Sequence, residues 1–431
     1  MENKPEVREK IRVCLANDSF PPLIDGVANT VLNYARIIES EYGSAVVATP
    51  KYPGVVDDYP FEVVRYQSLN TTRMLGYRSG YPFDPEAISK ISAFGPDIIH
   101  SHCPLASSFL CRGLREETGV PLVFTYHTKF DIDFSRALKL GVLKDAAVRV
   151  MIENISASDE VWAVNRGAAD NLRSLGFDGE IRVMPNGVDF PKGRLSREEV
   201  APLRDELGLP GGVPVFLFVG RMMWYKGQRI ILDGLRRLND SGRDFRMIFT
   251  GDGDDLEEIK QVAEAFGIFE KCVFTGAVRD RDRLRGLYSL SDLFILPSVF
   301  DNNPIVVKEA AACAVASVLI RDSSPSEVAT DGVNALLIGE DGEELFRVLE
   351  KTAYTDGLTR KLGENAQRDL FVSWDDMLVS VVERYRELIS AGRAGAFSGR
   401  RRRLSDYAIE ALADVASSIA QVKDSLPVHL R

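Results

Sequence analysis

The stretch Val215-Phe216-Leu217-Phe218-Val219-Gly220-Arg221, followed by Lys226 and then by the helical pattern Arg229–Leu238, decides how the chain folds. Consecutive apolar residues with no polar alternation mark a strand buried on both faces, as in a parallel sheet. The strand runs straight into a glycine and a cation before a helix begins. Working outwards, the same unit recurs. Towards the C-terminus, strand-like runs fall at Arg246–Phe249, Cys272–Phe274, Leu293–Leu296, Ala316–Ile320 and Ala335–Leu337. Towards the N-terminus they fall at Ile11–Leu15, Ala45–Ala48, Glu62–Arg65, Asp97–Ile99, Pro121–Thr125, Glu160–Ala163 and Ile181–Met184. Helical patterns such as Val27–Ile38 and Leu256–Phe266 lie between them. Strands alternating with helices define an α/β fold built on parallel sheets.

The series restarts once. Pro185-Asn186-Gly187 closes the first set, a charged stretch runs from Phe190 to Leu209, and Pro210-Gly211-Gly212 precedes the strand at Val215. Two Rossmann-like, doubly wound domains are therefore expected, at 11–190 and 214–372, joined by a linker at 191–213. A helix at 373–392, with Ser373 as its N-cap, is expected to return to the N-terminal domain. A cleft between two such domains is a natural ligand site. Beyond a flexible break at Gly392–Gly399, residues 399–431 carry the basic run Arg400–Arg403. Leu404, Ala408, Ala411, Val415 and Val422 then follow at roughly heptad spacing, which is an amphipathic helical tail.

Composition narrows the class. With 431 residues there is chain enough for two cores, and 45% hydrophobic with 27% charged residues is ordinary globular composition. A formal net charge of -10 argues against nucleic acid as a partner. Cys14, Cys103, Cys111, Cys272 and Cys313 are too scattered for a zinc site or a disulfide framework and read as buried thiols of a reducing cytoplasm. Met1–Lys10 lacks the apolar core of a signal peptide, and no run approaches the ~20 apolar residues of a membrane helix. Peripheral contact with the inner face of a membrane stays open.

In open parallel sheets, ligands bind beyond the carboxyl ends of the strands. After the first strand come Asn17-Asp18 and then Asp25-Gly26, where glycine at a helix start lets backbone approach a ligand. His100 and His102 follow the Asp97 strand and His127 follows the Pro121 strand. Without a carboxylate cluster to complete a metal site they read as polar loop residues lining a cleft, His127 being the functional candidate. In the second domain, Gly220, Arg221 and Lys226 ahead of a helix suit a diphosphate. Gly251-Asp252-Gly253 and Gly276-Ala277-Val278 mark two further strand ends where a flat base or ribose could approach closely. The strongest end is Leu296-Pro297-Ser298, which leads to Asp301, Asn302, Asn303 and Pro304 and then to a helical run from Ile305 through Cys313 containing Glu309. Asp301 sits in the loop and Glu309 about one turn into the helix. Backbone N–H groups of Ile305 and Val306 at the helix start can meet an anionic or hydroxylated ligand. A carboxylate held within so apolar a run has a specific partner.

In order and spacing, Asp25-Gly26, Tyr126-His127-Thr128, Pro185-Asn186-Gly187-Val188-Asp189, Gly220-Arg221 with Lys226, Gly251-Asp252-Gly253, Asp301 with Glu309, and Glu327 before Asp331-Gly332 resemble the family-four retaining glycosyltransferases of the GT-B fold (glycosyl transferases group 1). The similarity covers about residues 11 to 390. It implies a nucleotide-sugar donor, with Arg221 and Lys226 on its diphosphate in place of a metal ion. It further implies Glu309 on the ribose, Asp301 on the donor sugar assisted by the backbone of Asn303, Pro304, Ile305 and Val306, and Gly220, Gly251 and Val278 around the nucleotide. His127 would line the sugar and acceptor side, and Gly26 would let the N-terminal domain close over the diphosphate. No cofactor, metal ion or enzymic nucleophile is implied; attack would come from the front face, the leaving phosphate helping to take the acceptor proton.

The chain departs from the family pattern at three places. The first acidic residue of the pair is Asp301 rather than glutamate, Asn302-Asn303-Pro304 replaces the usual Phe-Gly, and the glycine ending the motif helix is Ala314. The expected activity is transfer of a hexose-type sugar, from a UDP-sugar rather than a GDP-sugar, to a lipid, glycan or small molecule. The alternative is a catalytically inactive GT-B scaffold or subunit of a transferase complex. No glycine-lysine signature of pyridoxal phosphate points to a phosphorylase. Because Asp406, Glu410 and Asp414 follow the arginine run, the tail is expected to pack on a second subunit or on its own body in preference to a membrane.

Overall fold

Runs of branched and aromatic residues form the strands, and most helices between them open on a side-chain cap. Asp25, Asp84, Asn165, Asp280 and Asp341 each accept from backbone N–H groups of the following first turn. The computed structural model describes residues 9–23, 25–72, 78–127, 141–301 and 304–397, so the expectations placed on Asn303 and on the tail at 399–431 lie outside the described residues. The chain divides into two units, Met1–Pro185 with Asp375–Arg431, and Asn186–Trp374.

The first unit holds β1 (Ile11–Ala16), β2 (Gly43–Pro50), β3 (Glu62–Tyr66), a short hairpin of β4 (Ser68–Leu69) and β5 (Ser79–Gly80), β6 (Ile98–Ser101), β7 (Leu122–Tyr126), β8 (Glu160–Ala163) and β9 (Ile181–Val183). Its main sheet is seven-stranded and parallel, in the order β3-β2-β1-β6-β7-β8-β9. The second unit holds β10 (Val215–Val219), β11 (Arg246–Thr250), β12 (Cys272–Gly276), β13 (Leu293–Leu296), β14 (Ala316–Ile320) and β15 (Ala335–Ile338). They form a parallel six-stranded sheet, β12-β11-β10-β13-β14-β15. Each chain path runs outward on one side and returns to the other, so the order reverses between β1 and β6 and again between β10 and β13. Both sheets are doubly wound, and these reversals are their topological switch points. Phe216, Leu217, Phe218, Ile248 and Phe294 are fully buried, which is why β10, β11 and β13 carry no alternation.

Residues 191–213, expected as a linker, fold into the second unit. Ser196 and Glu199 form a reciprocal capping box that starts the helix Arg197–Glu206, and Val200 and Leu209 join the second core. The helix Trp374–Arg393 packs on the first unit. Tyr385 is buried against Trp162, with rings stacked 5.6 Å apart, and Arg384 is bonded through its Nε to both oxygens of Glu160. Asn186–Val188 runs beside Ser373–Trp374, and a side chain at Gly187 would lie 2.6 Å from the Trp374 Cα, so only glycine fits there.

The helix Ile305–Ala312 ends on a left-handed residue. Ala314 has φ 52°, the Ala314 N–H donates to Ala311 and the Val315 N–H to Ala310, an arrangement that glycine adopts without penalty. Here alanine carries the strain that the family's glycine avoids. Ala314→Gly is therefore expected to stabilise the second unit by about 1 kcal/mol, raising its thermal midpoint by a few degrees. An unchanged or lowered midpoint in differential scanning calorimetry would show that the turn is not strained.

Candidate functional site

At the switch point of the second unit, β10 and β13 deliver their loops side by side. After β10, Gly220 leads to exposed Arg221, then to a short 3₁₀ turn at Trp224–Lys226 and the helix Gln228–Asp240. After β13, the chain passes through Pro297 and Ser298 to Asp301. Gly227 joins the two loops: its φ is 89°, and a Cβ there would fall 2.1 Å from the Pro297 carbonyl oxygen. That close approach lets the Lys226 ammonium donate to Asp301 Oδ1 at 2.5 Å, with the two side chains 13% and 19% exposed. The other oxygen, Asp301 Oδ2, is buried with no hydrogen-bond partner among the described residues. The Tyr225 ring lies 5.4 Å from the Lys226 ammonium and 5.9 Å from the Arg221 guanidinium, so both cations flank one aromatic face.

Two of the glycines at neighbouring strand ends are required by the packing of the loops themselves. Gly251 has φ 139°, and a Cβ on it would lie 1.9 Å from the Gly220 carbonyl oxygen. A Cβ on Gly253 would lie 2.4 Å from the Met222 carbonyl oxygen. These residues are glycine because adjoining loops press backbone against backbone. The loops are also bonded together, Gly220 N–H to Thr250, Gly251 N–H to Gly276 and Met222 N–H to Asp252. Val278 follows in the next loop and packs against the core. Pro304 stands at the N-cap of the helix Ile305–Ala312, whose first turn carries Ile305 and Val306 and no acidic side chain.

Glu309 is not bonded to Asp301. It is buried, and each oxygen has its own partner: Oε1 accepts from Arg281 Nη2 at 2.8 Å and Oε2 from the Tyr288 hydroxyl at 2.9 Å. Burial pushes its carboxyl above the ordinary range, with Arg281 and then Tyr288 pulling back the other way. Arg281 also binds Asp189 and lies 4.2 Å over the Phe190 ring. Neither Arg281 nor Tyr288 was picked out from the sequence. Arg281 is one of three arginines alternating with aspartates in Arg279-Asp280-Arg281-Asp282-Arg283, which reads as a solvated run. The neighbouring Lys308, half-buried, donates to the carbonyl of Asn186, and desolvation pushes its ammonium down to about 8.

In the first unit, His100 lies within β6 and is fully buried, where a loop residue was expected. Nδ1 is hydrogen-bonded to the Tyr385 hydroxyl at 2.5 Å and Nε2 to the Thr125 hydroxyl at 2.7 Å. His102, just beyond the strand, pairs through Nδ1 with Nε2 of half-buried His127 at 3.0 Å. Among the described residues no group of three His, Cys, Asp or Glu could hold a metal ion. Gly26 is exposed at the start of its helix, but Asp25 Oδ1 already takes the N–H groups of Val27 and Ala28. Asp18, after β1, accepts from Tyr66, Cys103, the Ala106 and Ser107 N–H groups and the Ser107 hydroxyl, and so fastens the β1 end to the N-terminus of the helix Ala106–Thr118.

Known proteins carry the same two parts in the same order. Residues 24–191 match the family described as Glycosyltransferase Family 4, and residues 200–369 that described as Glycosyl transferases group 1. A GDP-mannose-dependent alpha-mannosyltransferase of Corynebacterium glutamicum is 28% identical over 342 residues, 77% of this chain and 78% of that protein. A D-inositol 3-phosphate glycosyltransferase of Xylanimonas cellulosilytica is 28% identical over 67% of this chain and 71% of its own length. The crystal structure of Anabaena Alr3699/HepE in complex with UDP superposes with a TM-score of 0.71 at 17% identity, covering 88% of this chain and 100% of that one. Fold and family together define a glycosyltransferase with the GT-B fold. The chain belongs to the family-four glycosyltransferases.

His100 and His102 are held neutral: burial pushes both rings well below the ordinary histidine value, and neighbouring histidines push further. Unfolded, each ring takes up a proton below about pH 6.5, whereas the folded unit refuses it. The unfolded state therefore binds more protons as pH falls. Stability is full above that pH and declines below it by roughly 1.4 kcal/mol per pH unit for each ring. The urea midpoint of the first unit is expected to drop between pH 7 and pH 5, and His102→Gln to flatten the slope; a midpoint constant across that interval would contradict the burial argument.

Proposed function

We propose that this glycosyltransferase moves a hexose-type sugar from a nucleotide-sugar to a lipid, glycan or small-molecule acceptor, with retention at the anomeric carbon and without a metal ion. The observation that carries the reading is the Lys226–Asp301 pair beside Arg221 at the switch point of the second sheet. Arg221 and Lys226 bind the donor diphosphate and stabilise the charge that develops on the leaving nucleotide, the task a metal ion performs elsewhere. Asp301 aims Lys226 through Oδ1 and offers Oδ2 to a hydroxyl of the donor sugar. The first-turn N–H groups of the helix Ile305–Ala312 assist, and Glu309 takes the ribose. His127 and Gly26 of the first unit keep the roles that the family resemblance gives them. The nucleoside diphosphate departs from, and the acceptor hydroxyl oxygen bonds to, the same face of the anomeric carbon, with the leaving phosphate taking the acceptor proton, so no side chain is assigned as nucleophile.

UDP is favoured as the donor nucleotide, supported by the solved neighbour that holds UDP. GDP is the second reading, favoured by the relative named for GDP-mannose. Calorimetric titration with UDP and with GDP, both without added metal, is expected to give saturable binding and a lower Kd for UDP. Tighter GDP binding would transfer the donor assignment, and binding that needs added magnesium would remove the metal-free reading.

Lys226→Ala is expected to lower kcat by roughly 10²–10³ while the protein stays folded, since a donor aimed at transition-state charge is typically worth ~3–4 kcal/mol. Steady-state kinetics with near-native turnover would take Lys226 out of the diphosphate site.

A further inference from the structure

Glu309 is the fifth residue of the helix Ile305–Ala312 and is 4% exposed, so its carboxylate has almost no water to orient or solvate it. Its two oxygens are fixed instead by one helix. Arg281 opens the helix Arg281–Leu290, and Tyr288 lies two turns further along on the same face. One supplies a guanidinium N–H to Oε1 and the other a hydroxyl to Oε2.

These two donors are fixed in turn by a shared neighbour. The Arg281 guanidinium lies 4.2 Å over Phe190, and the Phe190 and Tyr288 rings meet edge to face at 5.8 Å. Asp189, the residue before Phe190, takes a second bond from Arg281 Nη2. Arg281 thus brings one positive charge against two carboxylates, and the group leaves a net negative charge centred on buried Glu309.

A carboxylate oxygen has two lone pairs. Arg281 and Tyr288 use one on each oxygen of Glu309, which leaves one on each without a donor among the described residues. Two adjacent acceptors of that kind match a vicinal diol, whose hydroxyls donate one hydrogen each. Burial alone would favour the protonated acid, which offers the diol one acceptor fewer and no charge assistance.

We propose that Arg281 and Tyr288 are positioning residues for nucleotide recognition: by holding Glu309 ionised and fixed in orientation, they make it a reader of the ribose 2′,3′-diol. This rests on the ribose assignment of Glu309 proposed above. Neither side chain touches the nucleotide. Their effect passes through the orientation and charge of Glu309, so removing them weakens recognition of the ribose hydroxyls selectively.

The test is calorimetric titration of the full-length protein with UDP and 2′-deoxy-UDP, and with GDP and 2′-deoxy-GDP, read as the ratio of deoxy to ribo Kd. The native protein is expected to bind the deoxy form on the order of tenfold or more weakly, the usual worth of a hydrogen bond to a charged group. Glu309→Gln is expected to lower the ratio to roughly threefold, the bond having lost its charge. Arg281→Gln and Tyr288→Phe are each expected to lower it by about threefold or more, and Arg281→Lys to recover part of the loss. Adding Arg281→Gln to Glu309→Gln should then lower the ratio no further, because both act on one contact. Tyr288→Phe removes a single oxygen and keeps the test standing if Arg281→Gln fails to fold. A ratio that falls in Glu309→Gln but is unchanged in Arg281→Gln and Tyr288→Phe overturns this proposal and leaves the ribose assignment intact. A ratio unchanged in Glu309→Gln, or no discrimination in the native protein, overturns the ribose assignment and this proposal with it.

Discussion

A parallel strand buried on both faces has no place for a polar side chain, so every group that needs a partner is pushed to the strand ends. That constraint organises both units. β10 is apolar from Val215 to Val219, and the first residues able to meet an ion, Arg221 and Lys226, come directly after it. β13 is apolar throughout, and Asp301 is the first acid beyond it. Because β10 and β13 are neighbours although other strands separate them in sequence, their two loops meet, and a lysine and an aspartate 75 residues apart become an ion pair. A polar ring inside a strand, such as His100 in β6, is tolerated where its partners are supplied, here Tyr385 and Thr125 on its two nitrogens.

Loops delivered side by side must then be fastened. In the second unit the fastening is largely backbone against backbone, with Gly251 on Gly220, Gly253 on Met222 and Gly227 on Pro297 at distances that admit no side chain. In the first unit it is one buried carboxylate: Asp18 gathers five donors and ties the end of β1 to the start of a helix. The two solutions differ in chemistry, but each removes freedom from residues near a switch point. Side chains set on such loops need little further ordering when a ligand arrives.

This division of labour explains what the sequence revealed and what it hid. Strands could be read because full burial leaves a local mark, and the run at Val215–Val219 is found in the structure with the same bounds. Asp301 and Lys226 could each be picked out because each follows a recognisable strand, but their pairing with one another is seen only in the structure. The glycines at 251 and 253 were visible, but their cause was not: the atoms that exclude a Cβ belong to another loop. Arg281 was hidden because its own surroundings in sequence are evenly charged, and what sets it apart, Phe190 below and Glu309 beside it, comes from 91 and 28 residues away. His100 was read as a loop residue because its partner Tyr385 lies 285 residues further on, and no local pattern joins the two.

Both acids of the family motif already hold a cation, and this shapes what a donor can do. Lys226 is balanced by Asp301, and Arg281 by Glu309 together with Asp189. The pairs prevent uncompensated charge at half-buried positions, which would cost several kcal/mol if left unpaired. They also set a threshold for binding. In the proposed function a neutral sugar would offer Lys226 no reason to turn from Asp301, whereas a diphosphate would carry charge enough to share the ammonium and leave the Asp301 carboxylate, whose Oδ2 has no partner among the described residues, for a sugar hydroxyl. With aspartate one methylene shorter than the family's glutamate, that carboxylate stays close to the backbone of its loop and the lysine must reach to it. On that proposed reading, recognition of charge and recognition of sugar are tied to the same two atoms of one side chain.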